Sequence, residues 1–198
     1  MPEIIYGEQN TDLWRNLRIG SVGGSSIKAV MTGGKGKTRM SLMYQLAGER
    51  ITGRKYEFKA TPAMEEGIRR EPESKAEFEF ITELELQDVA LVKGDIPYTH
   101  CSPDSILISE PAGLELKNPL IHTHIKYINE GRLPPEYVYQ VQYSMWITGY
   151  EYWYFFSYFP GIKPLLLKVK RDEAKIKEIE VATMVFLKDL DELVEKMR

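Results

Sequence analysis

The 198-residue chain has one cysteine, Cys101, which excludes an internal disulfide framework and also a four-cysteine iron–sulfur cluster. Cys101 is expected to be a buried residue at a strand end. Histidine is almost as scarce. His122 and His124 form an x-spaced pair with His100 far away, which is no usual zinc pattern, and the pair is expected to line a loop after Pro119. No apolar run approaches the roughly 20 residues of a membrane span, and the start Met-Pro-Glu-Ile-Ile-Tyr lacks a basic segment followed by an apolar one. A soluble, cytoplasmic protein without a membrane partner is expected. Long linkers and internal repeats are also missing, and 43% hydrophobic residues suffice for one core. One domain over residues 1–198 is the expectation.

The chain lacks an excess of positive charge: its net charge is −3. Affinity for a phosphate backbone comes largely from Lys and Arg, but the average hides a division. Residues 1–59 carry ten Lys and Arg against five Asp and Glu, while residues 60–198 carry sixteen against twenty-four. Arg15, Arg18, Lys28, Lys35, Lys37, Arg39, Arg50, Arg54 and Lys55 are therefore candidates for a DNA-facing surface; any one of them can equally be part of a solvated face. Gly33-Gly34-Lys35-Gly36-Lys37-Thr38 resembles a phosphate-binding loop, but the full motif needs Gly at position 31, where Met31 stands. No acidic strand end completes such a site. A basic loop near DNA and a merely solvated loop remain open.

Local patterns predict helices near residues 11–17, 25–31, 39–52, 61–83 with Pro72 as a kink or fresh start, 135–148 and 171–196. Strands are predicted near 88–93, 105–109, 113–117, 151–159 and 164–170. The aromatic run Tyr150 to Phe159 could stack bases, but its alternation favours a buried central strand. Helices around a small mixed sheet give a mixed α/β fold class.

The most telling stretch is Ser102-Pro103-Asp104 with Glu115-Leu116-Lys117 eleven residues after the aspartate. Glu110-Pro111-Ala112-Gly113 carries the Pro and Gly of a turn, so the two flanking runs read as a β-hairpin. Side chains alternate across a strand, so Glu115 and Lys117 share one face and Leu114 and Leu116 point to a core. With the turn centred between Pro111 and Ala112, Asp104 falls on the same side as Glu115 and Lys117. Two converging carboxylates suit a hard cation such as Mg²⁺ or Mn²⁺. A lysine beside them can orient or help deprotonate water and offset phosphate charge. The alternative is that Asp104 is a turn residue and Glu115 and Lys117 an exposed strand face.

Four blocks together resemble the phage lambda exonuclease family of viral recombination nucleases, which belongs to the PD-(D/E)XK restriction-endonuclease-like group. They are Trp14 to Gly20 continuing to Ser25, Gly67-Ile68-Arg69-Arg70-Glu71, Cys101 to Asp104 with Gly113 to Pro119, and Gln140 to Thr148. The resemblance implies a restriction-endonuclease-like core and a Mg²⁺-dependent exonuclease, with Mn²⁺ able to substitute. It implies degradation of one strand of duplex DNA from a 5′-phosphorylated end, leaving a 3′ single strand for recombination. It also implies a homotrimeric ring and a single-strand annealing protein as partner. Asp104, Glu115 and the backbone carbonyl of Leu116 would hold a first ion and Glu71 would help hold a second, although Glu71 can also be a surface acid among Glu65, Glu66 and Glu73. Lys117 and Gln140 would complete the catalytic set. Arg18, Ser25 and Ser102 match positions that bind the terminal phosphate, with Gln142 kept as a further substrate-side candidate. Ser25 can instead be a helix N-cap. Gly23 stands where the family usually has Thr. A related endonuclease, or a catalytically silent DNA-binding module of the same fold, are the competing readings.

Overall fold

The computed structural model describes residues 2–34, 36–56 and 61–198, so Lys35 of the proposed basic surface lies outside the described residues. In chain order the elements are β1 (Glu3–Tyr6), α1 (Asp12–Leu17), β2 (Val22–Gly23), α2 (Ile27–Met31), α3 (Lys37–Thr52), α4 (Pro62–Arg69) and α5 (Glu71–Thr82). Next come β3 (Leu86–Gln87), β4 (Val89–Lys93), β5 (Thr99–Cys101), β6 (Ser105–Leu107) and β7 (Ala112–Lys117). The chain continues through α6 (Ile121–Glu130), α7 (Pro135–Thr148), β8 (Tyr152–Phe159), β9 (Ile162–Lys170) and α8 (Glu173–Met197). Among the described residues no helix is long and apolar enough to cross a membrane.

Two sheets form where one was expected. A four-stranded sheet runs β1-β4-β5-β2 and a five-stranded sheet runs β3-β6-β7-β8-β9. Both are mixed, with β2/β5 and β7/β8 the parallel pairs. The step from β7 to its parallel neighbour β8 passes through α6 and α7, as a parallel pair requires a crossover connection. Strands β1, β2, β3 and β5 escape the sequence pattern because they are two to four residues long, too short for an alternation to register.

The segment 61–83 is two helices that break at Arg70. Thr61 caps the first through its hydroxyl, which accepts from Met64 N at 3.3 Å. Pro72 sits in the first turn of α5, where its missing N–H costs nothing. The break therefore falls just before the proline and leaves Glu71 at the N-terminus of α5. His122 and His124 lie in helix α6 rather than in a loop. His124 is fully buried, and its ring nitrogens contact Ser157 Oγ at 2.8 Å and Lys163 O at 3.1 Å. Both of its ring nitrogens are engaged by protein groups.

The aromatic strand β8 is buried between β7 and β9. Trp153 lies opposite Gly113 in the ladder, and a Cβ at Gly113 would overlap the indole ring. Phe78 of α5 packs edge-on against Tyr154 and Phe156, 5.6 Å between centroids in each case, over Leu114 and Leu116. This apolar face of β7 fixes the strand and turns Glu115 to the opposite face, toward α7. A second cluster joins α2, α3, α7 and α8 to the first sheet through Val22, Tyr143, Phe186 and Leu190. The two clusters grip the two ends of the chain segment 101–117 that carries the acids.

Candidate nuclease site

Strand β6 pairs antiparallel with β7 so that Ser105 faces Leu114 and Ile106 faces Gly113. The turn is thus centred nearer Ser109 and Glu110 than the sequence suggested, because Ala112 and Gly113 are taken up by β7. The even shift leaves the side-chain faces unchanged. Asp104, just before β6, donates its N–H to Leu114 O at 3.1 Å and accepts from Leu116 N at 2.5 Å through Oδ2. Glu115 is only 3% exposed, which rules out an ordinary exposed strand face. Its Oε1 accepts from Gln140 Nε2 at 2.6 Å, reaching down from α7, and from the Lys117 ammonium. Lys117 Nζ lies 5.0 Å over the ring of Tyr137.

Asp104 and Lys117 open into a cleft of about 360 Å³ that is also lined by Glu71, Leu116, Asn118 and Tyr137, and by Met64 and Ile68 of α4. Asn118 Nδ2 donates to Gly67 O at 3.1 Å and Ser74 Oγ at 3.2 Å, tying α4 and α5 to the end of β7. Lys75 Nζ holds Glu71 Oε1 at 2.9 Å and Asp88 at 2.9 Å. Among the described residues no three His, Cys, Asp or Glu side chains stand close enough to hold an ion as placed. Lys75 thus occupies one carboxylate oxygen of Glu71.

Electrostatics carry the same message. Burial and then the neighbouring Glu115 push the Asp104 carboxyl up to about 7, with Glu71 adding to the rise and Lys117 and the Leu116 N–H opposing it. Burial disfavours the Lys117 ammonium, but Glu115 and Asp104 outweigh it and raise its pKa. Carboxylates crowded to the point where one resists ionising are short of positive charge, which Lys117 supplies only in part. Two carboxylates, a third one within the same cleft and the backbone of Leu116 make an all-oxygen donor set, which fits a hard divalent cation.

Trp14 brings Arg18 and Ser102 together. Trp14 Nε1 donates to Ser102 Oγ at 3.1 Å, and the Arg18 guanidinium lies 3.8 Å over the Trp14 ring. Ser25 is exposed in the short 3₁₀ turn Gly24–Ser26, and the turn is tied by Ser26, whose Oγ accepts from Gly23 N at 3.1 Å and donates to Gly23 O at 2.8 Å. Gln142 is not brought to either group. It is 4% exposed, donates to Lys170 O at 3.0 Å and accepts from Asp172 N at 2.9 Å. Its amide is used up where β9 turns into α8, because two residues along a helix rotate the side chain away from Gln140's face.

The proposed basic surface is smaller than its sequence. Arg39 binds Asp189 at 2.7 Å, Arg50 binds Asp191, and Lys55 binds the buried Glu49 at 2.8 Å. Lys28, Lys37 and Arg54 remain exposed. Sequence reasoning missed Tyr137 and Asn118, which line the cleft, and His100 and Ser21, which touch Arg18. Of these Asn118, directly after Lys117, and Ser21, directly after Gly20, lay inside the matching blocks.

The YqaJ-like viral recombinase domain matches residues 13–151. The alkaline exonuclease LHK-Exo from Laribacter hongkongensis has a similar structure, at 30% identity and a TM-score of 0.86 over 94% of this chain and 96% of that one. LHK-Exo in complex with dAMP gives 31% identity and a TM-score of 0.88 over the same shares. A phage-related exonuclease from Haemophilus somnus 129PT, at 16% identity, shares the fold with a TM-score of 0.70 over 93% of this chain and 99% of that one. Among curated protein sequences none matches. The chain belongs to the YqaJ-like viral recombinase family and is a nuclease of the lambda-exonuclease type.

Proposed function

We propose that the chain is a Mg²⁺-dependent exonuclease, with Mn²⁺ able to substitute, that removes mononucleotides from the 5′-phosphorylated strand of duplex DNA. The observation that carries this reading is one cleft lined by Glu71, Asp104 and Lys117, with Lys117 bonded to the buried Glu115, which Gln140 also holds. Asp104, Glu115 and the Leu116 carbonyl would hold one cation, and Glu71 would help hold a second. Bound there, the ions would lower the pKa of a coordinated water and draw negative charge from the scissile phosphate. Gln140 holds Oε1 of Glu115, and Lys117 would provide an ammonium beside the phosphate.

In the reaction the water oxygen forms a bond to phosphorus as the bond to the 3′ oxygen of the terminal nucleotide breaks. One proton leaves the water and one is taken up by that 3′ oxygen. The nucleotide departs as a 5′-monophosphate, and the shortened strand again begins with a 5′-phosphate. Arg18 with the Ser102 and Ser25 hydroxyls has the chemistry to hold that terminal phosphate. Since every cut regenerates the group, such a pocket favours repeated action on one strand and leaves a 3′ single strand for recombination. The neighbour solved with dAMP bound a deoxynucleoside monophosphate, the product class expected here. A homotrimeric ring around the duplex and a single-strand annealing partner belong to the same reading.

The test is digestion of linear duplex DNA with and without a 5′-phosphate, in Mg²⁺ and in EDTA. Mg²⁺-dependent release of mononucleotides from the phosphorylated strand is expected, with a fall on the order of a hundredfold to a thousandfold in Lys117→Ala. DNA binding without nucleotide release in any divalent metal would leave the chain a binding module.

A further inference from the structure

The contacts around Arg18 form a closed circuit. Arg18 Nε donates to His100 Nε2 at 3.2 Å. A guanidinium cannot accept, so Nε2 is the acceptor and the imidazole proton resides on Nδ1. Nδ1–H donates to Ser21 Oγ at 2.8 Å, and the Ser21 hydroxyl donates onward to the backbone carbonyl of Arg18 at 3.1 Å. Lys55 Nζ donates to the same carbonyl at 3.0 Å and is held by Glu49. The side chain of Arg18 is thereby tied to its own main chain through His100 and Ser21, while Trp14 covers one guanidinium face. Among the described residues the two terminal nitrogens of Arg18 have no protein partner.

Space for the imidazole comes from Gly23. The two residues are register partners in the parallel β2/β5 pair. A Cβ at position 23 would lie 2.6 Å from His100 Nε2, the atom that accepts from Arg18. Any other residue there displaces the ring.

We propose that His100 is a positioning residue that holds Arg18 so that its two terminal nitrogens present a fork to the 5′-phosphate of the substrate strand, with Gly23 providing the room. This rests on the reading of Arg18 as the terminal-phosphate ligand. A planar guanidinium fixed at Nε and stacked on one face loses little further freedom on accepting a phosphate at its far edge. Burial, then the charges of Arg18 and Lys55, hold His100 down to about 3. The ring is therefore neutral and able to accept throughout the neutral and alkaline range.

The experiment compares KM and kcat on duplexes carrying a 5′-phosphate or a 5′-hydroxyl, in Mg²⁺, for the native chain, Arg18→Ala, His100→Leu, His100→Gln and Gly23→Ala, with melting curves for each. The native chain is expected to prefer the phosphorylated end and Arg18→Ala to lose the preference. In His100→Leu, KM for the phosphorylated duplex should rise about tenfold to thirtyfold, kcat staying within about threefold, and KM for the hydroxyl duplex should not move. His100→Gln, whose side-chain oxygen can replace the Nε2 acceptor, should restore most of the preference. Gly23→Ala should behave like His100→Leu although the histidine is intact, which keeps the proposal testable should the leucine variant not fold. A native preference that Arg18→Ala abolishes but His100→Leu and Gly23→Ala both retain overturns the brace alone. A native chain indifferent to the 5′-phosphate overturns both the brace and the reading beneath it.

Discussion

Replacing Asp104 with asparagine should abolish cleavage and at the same time stabilise the metal-free protein at alkaline pH. Burial and Glu115 raise the Asp104 carboxyl from 3.8 to about 7, so between those values the folded state binds a proton that the unfolded chain releases. Stability therefore falls as pH rises through about 4 to 7, and the full penalty is present at pH 8. At ~1.4 kcal/mol per pH unit the ceiling is ~4 kcal/mol. The carboxyl faces an open cleft and loses an attraction to Lys117 when neutralised, so ~1–2 kcal/mol is the expected gain. Asparagine keeps an oxygen to accept from Leu116 N, now at 2.5 Å. For a chain of this length the gain corresponds to a melting point higher by roughly 3–6 °C. The assay is thermal unfolding of both proteins in EDTA at pH 4, 6 and 8, repeated at pH 8 with saturating Mg²⁺. The difference should vanish near pH 4 and reverse in Mg²⁺, because an ion bound only by the native carboxylates adds to the native chain's stability alone. A variant that is less stable at pH 8 in EDTA, or a difference that does not change with pH, would refute the account of crowded carboxylates.

Two further outcomes follow from the supporting contacts. Gln140→Ala removes the 2.6 Å bond to Glu115 Oε1 and should lower Mg²⁺-dependent turnover by about tenfold to a hundredfold, as loss of a ligand-orienting partner does; Mg²⁺ titrations of initial rate would detect it, and an unchanged rate would mean that Lys117 alone orients Glu115. Glu49→Gln withdraws the buried charge that accepts from Gly20 N, Gln45, Lys55 and Tyr56 N, with an expected loss of about 2–3 kcal/mol at neutral pH. Burial works against the Glu49 carboxylate, but its donors prevail and hold its pKa below 4.5, so its contribution persists above that value and fades on acidification. Urea unfolding should accordingly find the native and variant stabilities converging as the pH falls below 4.5.

The polar face of β7 was legible because alternation needs only parity. Glu115 and Lys117 had to share a side whatever the exact turn, and an even shift of register preserved it. Gln140 was legible through resemblance together with a helix, Pro135–Thr148, whose start its prolines mark. Helix α6 was not, since Ile121, Thr123 and Ile125 are poor helix formers and its N-terminus has no side-chain cap. It is held instead by burial of His124 and Tyr127. His100 was unreadable for another reason. Its partners Arg18 and Ser21 are about eighty residues away in sequence, and nothing local distinguishes a neutral buried imidazole that braces an arginine from a surface one.

The charge division along the chain also has a different meaning in three dimensions. Arg39 and Arg50 of α3 reach α8 at Asp189 and Asp191, so part of the N-terminal excess of cations is matched against the C-terminal excess of acids inside the fold. Arg50 also donates to Gly20 O at 2.7 Å and stacks over Tyr98 at 3.7 Å, the residue just before β5. It thus secures both the loop after Arg18 and the entry to the strand that presents His100. Lys55 acts on the same loop through the Arg18 carbonyl. Some of the cations that sequence alone assigns to DNA are therefore engaged elsewhere, Arg39 and Arg50 with α8 and Arg50 and Lys55 with the loop after Arg18, while Glu71 and Asp104 line the cleft. Net charge summed along the sequence is therefore a poor guide to how charge is placed in the fold.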